Sequence, residues 1–425
     1  MSANYFGNEG TVISTDFNRV SFRVNSSGTK GIFSIGENLA ISNSRTDEMS
    51  GNPIIDSYRL LPTIPVYDAE NPGGYGYGKQ GVANTFGTNP IALANLLDTK
   101  NENFRIRGNL WSEIKLASFL KYRFNFGYET SFDSYNFIRK LGNWTLNQPF
   151  EQSFINQNKG RSETKLFENT LTFKKEFGKH DITVLAGQTF QKDNYNQIYG
   201  TKRNLLVNPS TGQYFDVLNL GDQAEVGGFR NEAALASYLG RLEYNYDDRY
   251  LLNAVFRRDG SSKFSDANKW GNFPAFSAGL DLSKESFISN LEKIDNLKLR
   301  VGYGVTGNQG IPNYQSLVTL STGGVYPQEG VFYQTYGPSR NPNPNLRWEK
   351  KQEWNFGLDF GLFNNRISGS LDIYQRNTVD LLNNYTAQQP PFVRSSIYTN
   401  VGSIKNRGVE LYVNAILVQK DKFRY

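Results

Sequence analysis

The sequence predicts an all-β protein, an antiparallel transmembrane β-barrel, and three observations carry that prediction. Apolar and polar residues alternate over long segments from one end of the chain to the other. The chain is rich in aromatics, with 25 Tyr, 30 Phe and 5 Trp, and its connections alternate between short and long. A strand turns successive side chains to opposite faces, so sustained period-two alternation gives each strand one apolar and one polar side. Alternation alone also fits a soluble propeller, solenoid or tandem sandwich. Strands longer than the roughly five to six residues of globular sheets, aromatics gathered on the apolar side, and loop asymmetry favour the membrane barrel.

The first clear strand places Phe104, Ile106, Leu110, Ile114 and Leu116 on one face and Arg105, Arg107, Asn109, Glu113 and Lys115 on the other. Next, Leu120, Tyr122, Phe124, Phe126 and Tyr128 oppose Lys121, Arg123, Asn125 and Glu129. The pattern returns with Tyr238, Leu242, Tyr244 and Tyr246, and again with Leu299, Val301, Tyr303 and Val305. A later pair sets Trp354, Phe356, Leu358 and Phe360 beside Ile367, Leu371 and Ile373. Read as antiparallel hairpins, the chain holds roughly thirteen strands.

Short turns are expected at 26–30, 117–118, 178–179, 247–248 and 364–365, and long links at 42–103, 131–162, 193–232, 307–346 and 378–405. Membrane barrels have this asymmetry, with short turns at one rim and long loops at the other. Segment 284–296, on the short side, is expected to carry a brief helix. Segment 422–425 reads as the beginning of a further strand, so the chain is expected to be a barrel fragment truncated at both ends, 1–425 forming one partial barrel domain. A barrel in lipid needs closed edges, which further strands would supply.

Composition excludes several function classes. No run of about 18 apolar residues occurs, which removes transmembrane helices. The absence of Cys removes disulfides, zinc-thiolate sites and cysteine nucleophiles. The formal charge of +6 is scattered along the chain, giving no footprint for nucleic acid. His180 is the single histidine, expected as a solvated turn residue, so neither a Ser/His/acid triad nor a histidine metal site is expected. Asp247 and Asp248 read as a polar turn. Gly302, Gly304, Gly307 and Gly310 lack the Lys-Ser/Thr ending and following helix of a phosphate loop; beside Tyr303 they are expected to relieve crowding on the wall. No cofactor is expected. No apolar leader follows Met1, and no signal peptide is expected in this stretch.

Five ordered blocks resemble the SusC/RagA family of TonB-linked outer-membrane proteins. Residues 257–283 read RRDGSSKFSDANKWGNFPAFSAGLDLS, with a turn expected at Asp259 and Gly260. Residues 296–314 read NLKLRVGYGVTGNQGIPNY, and 341–382 read NPNPNLRWEKKQEWNFGLDFGLFNNRISGSLDIYQRNTVDLL. NVGSIKNRGVELYVN at 400–414 and NPIIDSYRLLPTIPVYDAENP at 52–72 complete the series. In 341–345, Pro342 and Pro344 are expected to stiffen an extended loop end.

The resemblance covers about 17–414. It implies a fragment of a barrel of about 22 strands with its plug outside this stretch. It implies TonB-driven import of an oligosaccharide or peptide, a SusD-like surface lipoprotein that captures the ligand, and residence in outer-membrane lipid. No covalent chemistry is implied. Ligand contacts are expected on long loops and the lumen face, with Trp144, Tyr314, Tyr336 and Arg340 as candidates. A passive porin, an adhesin or a barrel hydrolase are the rival readings, the last disfavoured by the single histidine.

Overall fold

The structure is a computed structural model that describes residues 1–79, 87–144, 152–420, 423 and 424. Its strands, in chain order, are β1 (Ser2–Glu9), β2 (Asp16–Lys30), β3 (Phe33–Glu48), β4 (Leu97–Ala117), β5 (Leu120–Arg139) and β6 (Phe154–Phe177). They continue with β7 (His180–Arg203), β8 (Asp222–Tyr246), β9 (Tyr250–Ser261), β10 (Trp270–Asp281), β11 (Ile294–Asn308) and β12 (Leu320–Gln328). The series ends with β13 (Val331–Pro338), β14 (Glu349–Leu362), β15 (Ile367–Val379), β16 (Leu382–Thr386), β17 (Ser396–Asn400) and β18 (Ser403–Ala415). Fourteen of them form one antiparallel sheet in chain order, β1 to β11 followed by β14, β15 and β18. Among the described residues, β12 pairs only with β13, and β16 only with β17. Among them the sheet does not close on itself; β1 and β18 are its edges. Phe423–Arg424 folds back on Gln419–Lys420 as a short pair, and 421, 422 and 425 lie outside the described residues.

The strands outrun the hydrophobic pattern. β6 and β7 have 24 residues each and β8 has 25, whereas about 9–11 tilted residues cross a bilayer. Alternation beyond that span is polar against polar, which a hydrophobic reading cannot register, so four of the five long links are shorter than expected, while the one expected at 307–346 keeps its length at 309–348. β3 and β4 stay paired as far as Glu48 and Thr99, leaving 49–96 as the link.

The first turn also moves. Residues 26–30 read as a turn, but Gly28 pairs with Ile35, Ser26 donates to Glu37 at 3.0 Å, and Thr29 meets Ser34 at 2.9 Å. The chain reverses at Gly31, whose φ of +61° suits glycine. The helix expected within 284–296 is present as Ser286–Ser289.

One face of the sheet is apolar and exposed. Leu252, Ala278, Val301, Phe356, Ile373 and Val409 lie side by side across six strands. Phe356 is 54% exposed and Val409 66% exposed, too much uncovered hydrocarbon for a face meant for water. One row further along, Phe276, Tyr303 and Trp354 pack as tilted rings with centroids 5.9 and 4.6 Å apart. At the short-turn rim the same face carries an aromatic cluster. Phe177 and Tyr246 each lie 4.9 Å from His180, and Phe119 lies 5.5 Å from Phe173.

His180 therefore departs from the solvated turn residue expected of it. It opens β7 half-buried among rings, with Nδ1 2.8 Å from the Tyr244 hydroxyl. The turn residue is its neighbour Lys179.

Candidate functional site: the polar wall and its loops

The opposite face is built from the intervening residues of each strand, and its charges are paired both across and along strands. Arg300 on β11 donates to both oxygens of Asp359 on β14 at 2.8 Å and reaches Asp372 on β15 at 3.3 Å. Arg257 bonds Asp259 at 2.7 Å and Ser237 at 3.0 Å. Further along, Asn109, Asn125 and Glu168 form a ladder over β4, β5 and β6 with 2.6 Å spacings. Such pairs are individually modest where solvent reaches them. Their value here is order, since each fixes a side chain on a wall that faces away from the apolar side.

A hollow of about 600 Å³ opens on this wall, lined by Lys174, Asp181, Glu243, Asn253, Lys298 and Arg300 among others. Its floor includes Gly302, which corrects the expectation that these glycines relieve crowding beside Tyr303. Tyr303 points to the apolar face, while Gly302 and Gly304 point to the polar one, opposite Asn355 and Glu353. A Cβ at Gly302 would meet nothing nearer than 3.9 Å, and one at Gly304 only Ala275 at 3.5 Å. Gly302 and Gly304 leave the wall bare, whereas Gly307 does make room, since a Cβ there would stand 2.2 Å from the Phe273 ring.

The long loops pack with the neighbouring strand ends into small cores. One gathers Phe264, Phe273, Val305, Ile311, Leu346 and Trp348. A second gathers Ala92, Leu93, Leu96, Leu97 and Trp144, and a third Ile138, Ile155 and Leu205. The helix Pro90–Leu96 starts on Asn89, whose side chain accepts from the Ile91 and Ala92 amides and donates to the Val66 and Gly76 carbonyls.

These cores decide where the four loop candidates sit. Trp144 is 7% exposed inside the second core, so its ring is enclosed by packing and offers no platform. Tyr314 is half-buried, its hydroxyl accepting from the Glu232 amide at 2.7 Å. Arg340 donates to the Asn313 carbonyl at 3.0 Å, bracing the same loop. Tyr336, on β13, is 67% exposed and presents its ring outward. The structure does not bring the four together.

What pattern reading missed is the role of the asparagines. Asn341 and Asn343 do not simply end a stiff segment, because their side chains bond the backbone at 393–398. Asn400 returns the contact, donating to the Arg347 and Asp380 carbonyls at 2.8 Å each. The Asp380 carboxylate, hydrogen-bonded to Arg347 at 2.7 Å, holds that guanidinium above its ordinary pKa. Burial pushes the Lys263 ammonium below the usual lysine range while it caps the Gln309 and Ile311 carbonyls. The repeated Asn spacing in NPNPN was the available signal.

An open antiparallel wall with one exposed apolar face and one ion-paired face defines a piece of a membrane β-barrel. The profile of the family "TonB dependent receptor-like, beta-barrel" matches residues 45–422, and the chain belongs to that family. TonB-dependent receptor P26 of Formosa agariphila is 31% identical over 443 residues, all of this chain and 42% of the relative. TonB-dependent receptor SusC of Bacteroides thetaiotaomicron is 29% identical over 408 residues, 88% of this chain and 38% of the relative. Among solved structures, the RagAB peptide transporter superposes with a TM-score of 0.80 at 24% identity, covering 99% of this chain and 47% of that one. The siderophore receptor PiuA of Acinetobacter baumannii gives 0.53 at 14%. The chain thus spans less than half the length of the relatives it matches. The resemblance to SusC- and RagA-type barrels drawn from the five blocks agrees with these matches.

Proposed function

We propose that this chain forms wall and outward loops of an active nutrient importer in the bacterial outer membrane. It takes up an oligosaccharide or a peptide captured by a SusD-like surface lipoprotein, with TonB supplying the energy. The observation that carries the reading is the two-faced sheet, apolar and exposed on one side and polar with a wide hollow on the other, which suits lipid outside and a wet lumen inside. The short-turn rim then faces the periplasm, and the loop cores face the cell exterior.

In this reading the loops receive the ligand and the lipoprotein, the polar wall lines the path, and the aromatic cluster around His180 sits at the periplasmic interface of the bilayer. Tyr336 is the loop candidate able to touch ligand or partner; Trp144, Tyr314 and Arg340 hold the loops in shape. The test is uptake of labelled oligosaccharides and peptides by cells carrying the full-length gene, with and without the neighbouring lipoprotein. Uptake should stop when a protonophore collapses the proton gradient. Uptake that continues unchanged would replace active import with a passive porin.

A further inference from the structure

On the polar face of β3 to β7, toward the long-loop rim, lies a second cavity of about 150 Å³, separate from the larger hollow. A cavity of that size admits one six-membered ring. Tyr135 of β5 and Tyr195 of β7 line it, with Asn101, Asn103, Asn158 and Asp133 between and beside them. Each tyrosine ring is backed by another aromatic. Phe137 lies 6.4 Å from Tyr135 with the rings 9° from parallel, and Phe229 lies 5.6 Å from Tyr195. Tyr195 leans across Gly160, where a Cβ would stand 2.9 Å from the phenol oxygen. The rings are therefore fixed in place before any ligand arrives.

From this arrangement we infer that the wall at Tyr135, Asn158 and Tyr195 is a binding subsite for one ring of a neutral saccharide. The inference rests on the import reading and deepens it by choosing between its two ligand classes. The aromatic planes offer apolar surface to the C–H face of a pyranose. The amides and the carboxylate offer acceptors to its hydroxyls. Asp133 already accepts from the Asn103 amide and, at 3.2 Å, from the Ser131 hydroxyl, yet each of its oxygens keeps another lone pair.

No lysine or arginine lines the cavity, while Asp133, on the same face as Tyr135, does. An acidic sugar or a peptide carboxylate would meet like charge without compensation. An extended peptide also lacks a backbone edge to pair with, because β4, β5, β6 and β7 are each hydrogen-bonded on both sides.

The test uses the purified full-length importer with its lipoprotein, and calorimetric titration with maltohexaose, cellohexaose, xylohexaose, hexagalacturonate and a mixed heptapeptide pool. At least one neutral hexasaccharide should bind. Tyr135→Ala and Asn158→Ala should each weaken that binding about ten-fold, with Tyr135→Phe close to the parent because the ring is kept. The heat-modifiable electrophoretic shift of the barrel identifies folded variants.

The proposal is overturned if only the acidic hexamer or the peptides bind, if none of the probes binds, or if Tyr135→Ala and Asn158→Ala bind like the parent. Binding that behaves as expected in a protein whose uptake ignores the proton gradient would sink the import reading and leave the subsite standing.

Discussion

Asn341 and Arg394 hold each other in both directions: the Asn341 amide donates to the Arg394 carbonyl at 2.7 Å and accepts from the Arg394 backbone N–H at 3.1 Å. The same side chain donates to the Ser396 carbonyl at 2.9 Å and accepts from the Val393 N–H at 3.1 Å, so its hydrogen-bonding capacity is filled while it is 4% exposed. This clasp joins the loop before β14 to the β16–β17 hairpin, which otherwise rests on the main sheet chiefly through Leu382 and Tyr398. An isolated two-stranded hairpin is marginal in water.

Asn341→Asp should release that hairpin, because the two donated bonds become oxygen facing oxygen, at about 1–3 kcal/mol for each stranded buried group. Hydrogen exchange of peptides covering 382–400 should accelerate while the fourteen-stranded sheet keeps its protection. Equal exchange in parent and variant would mean that other contacts hold the hairpin.

Gly260 should tolerate no side chain. A Cβ there would stand 2.8 Å from the Trp270 ring, which lies across it from the neighbouring strand. Overpacking of this kind costs about 1–3 kcal/mol. Gly260→Ala should lower the urea midpoint of the refolded full-length barrel, and Gly260→Ala combined with Trp270→Ala should recover part of the loss. A double variant no better than the single would show that the ring is not the obstacle.

That glycine also shows where sequence reading ends. Asp-Gly is a strong turn signal, and Asp259-Gly260 was expected to reverse the chain, yet both residues lie inside β9. Asp259 is committed to Arg257, and Gly260 makes room for Trp270. Trp270, on the next strand, lies outside the local pattern that a turn rule inspects. The two faces of the wall were legible because lipid and water impose them on every strand alike. The clasp of Asn341, the enclosed ring of Trp144 and the aromatic berth of His180 depend on segments far away in sequence. Alternation has no access to such contacts.

The two-faced wall makes neighbouring residues differ sharply in tolerance. Leu299 belongs to the exposed apolar face, so Leu299→Arg should cost about 2–4 kcal/mol if that position lies deep in the bilayer. Lys298, one residue away on the polar face, should accept Leu at small cost. Arg300→Leu should sit between them, since it strands Asp359 and Asp372 on a wall that water still reaches. Urea unfolding of the full-length protein in lipid vesicles ranks the three. Equal costs at 298 and 299 would remove the assignment of faces.

The short turns give a pH dependence of known sign. Lys179, in the β6–β7 turn, donates to the Asp247 carboxylate at 2.8 Å, and the Asp247 amide donates to the Lys179 carbonyl at the same distance. The lysine hydrogen bond, before any other influence, holds the Asp247 carboxyl below its ordinary pKa. A carboxylate with a depressed folded-state pKa contributes stability that is complete above the unfolded value of about 3.9 and is lost as pH falls through the lower folded value. The contact between the two turns should therefore be insensitive to pH from neutrality down to about 4 and loosen only below that. Lys179→Ala should move the Asp247 midpoint upward toward the free value, as read by carboxyl carbon chemical shifts in the detergent-solubilised full-length protein. The Asp247 amide, once corrected for intrinsic exchange, should lose protection in parallel. A midpoint that stays put in Lys179→Ala would transfer the depression to Arg249, whose guanidinium lies 3.8 Å from the same carboxylate.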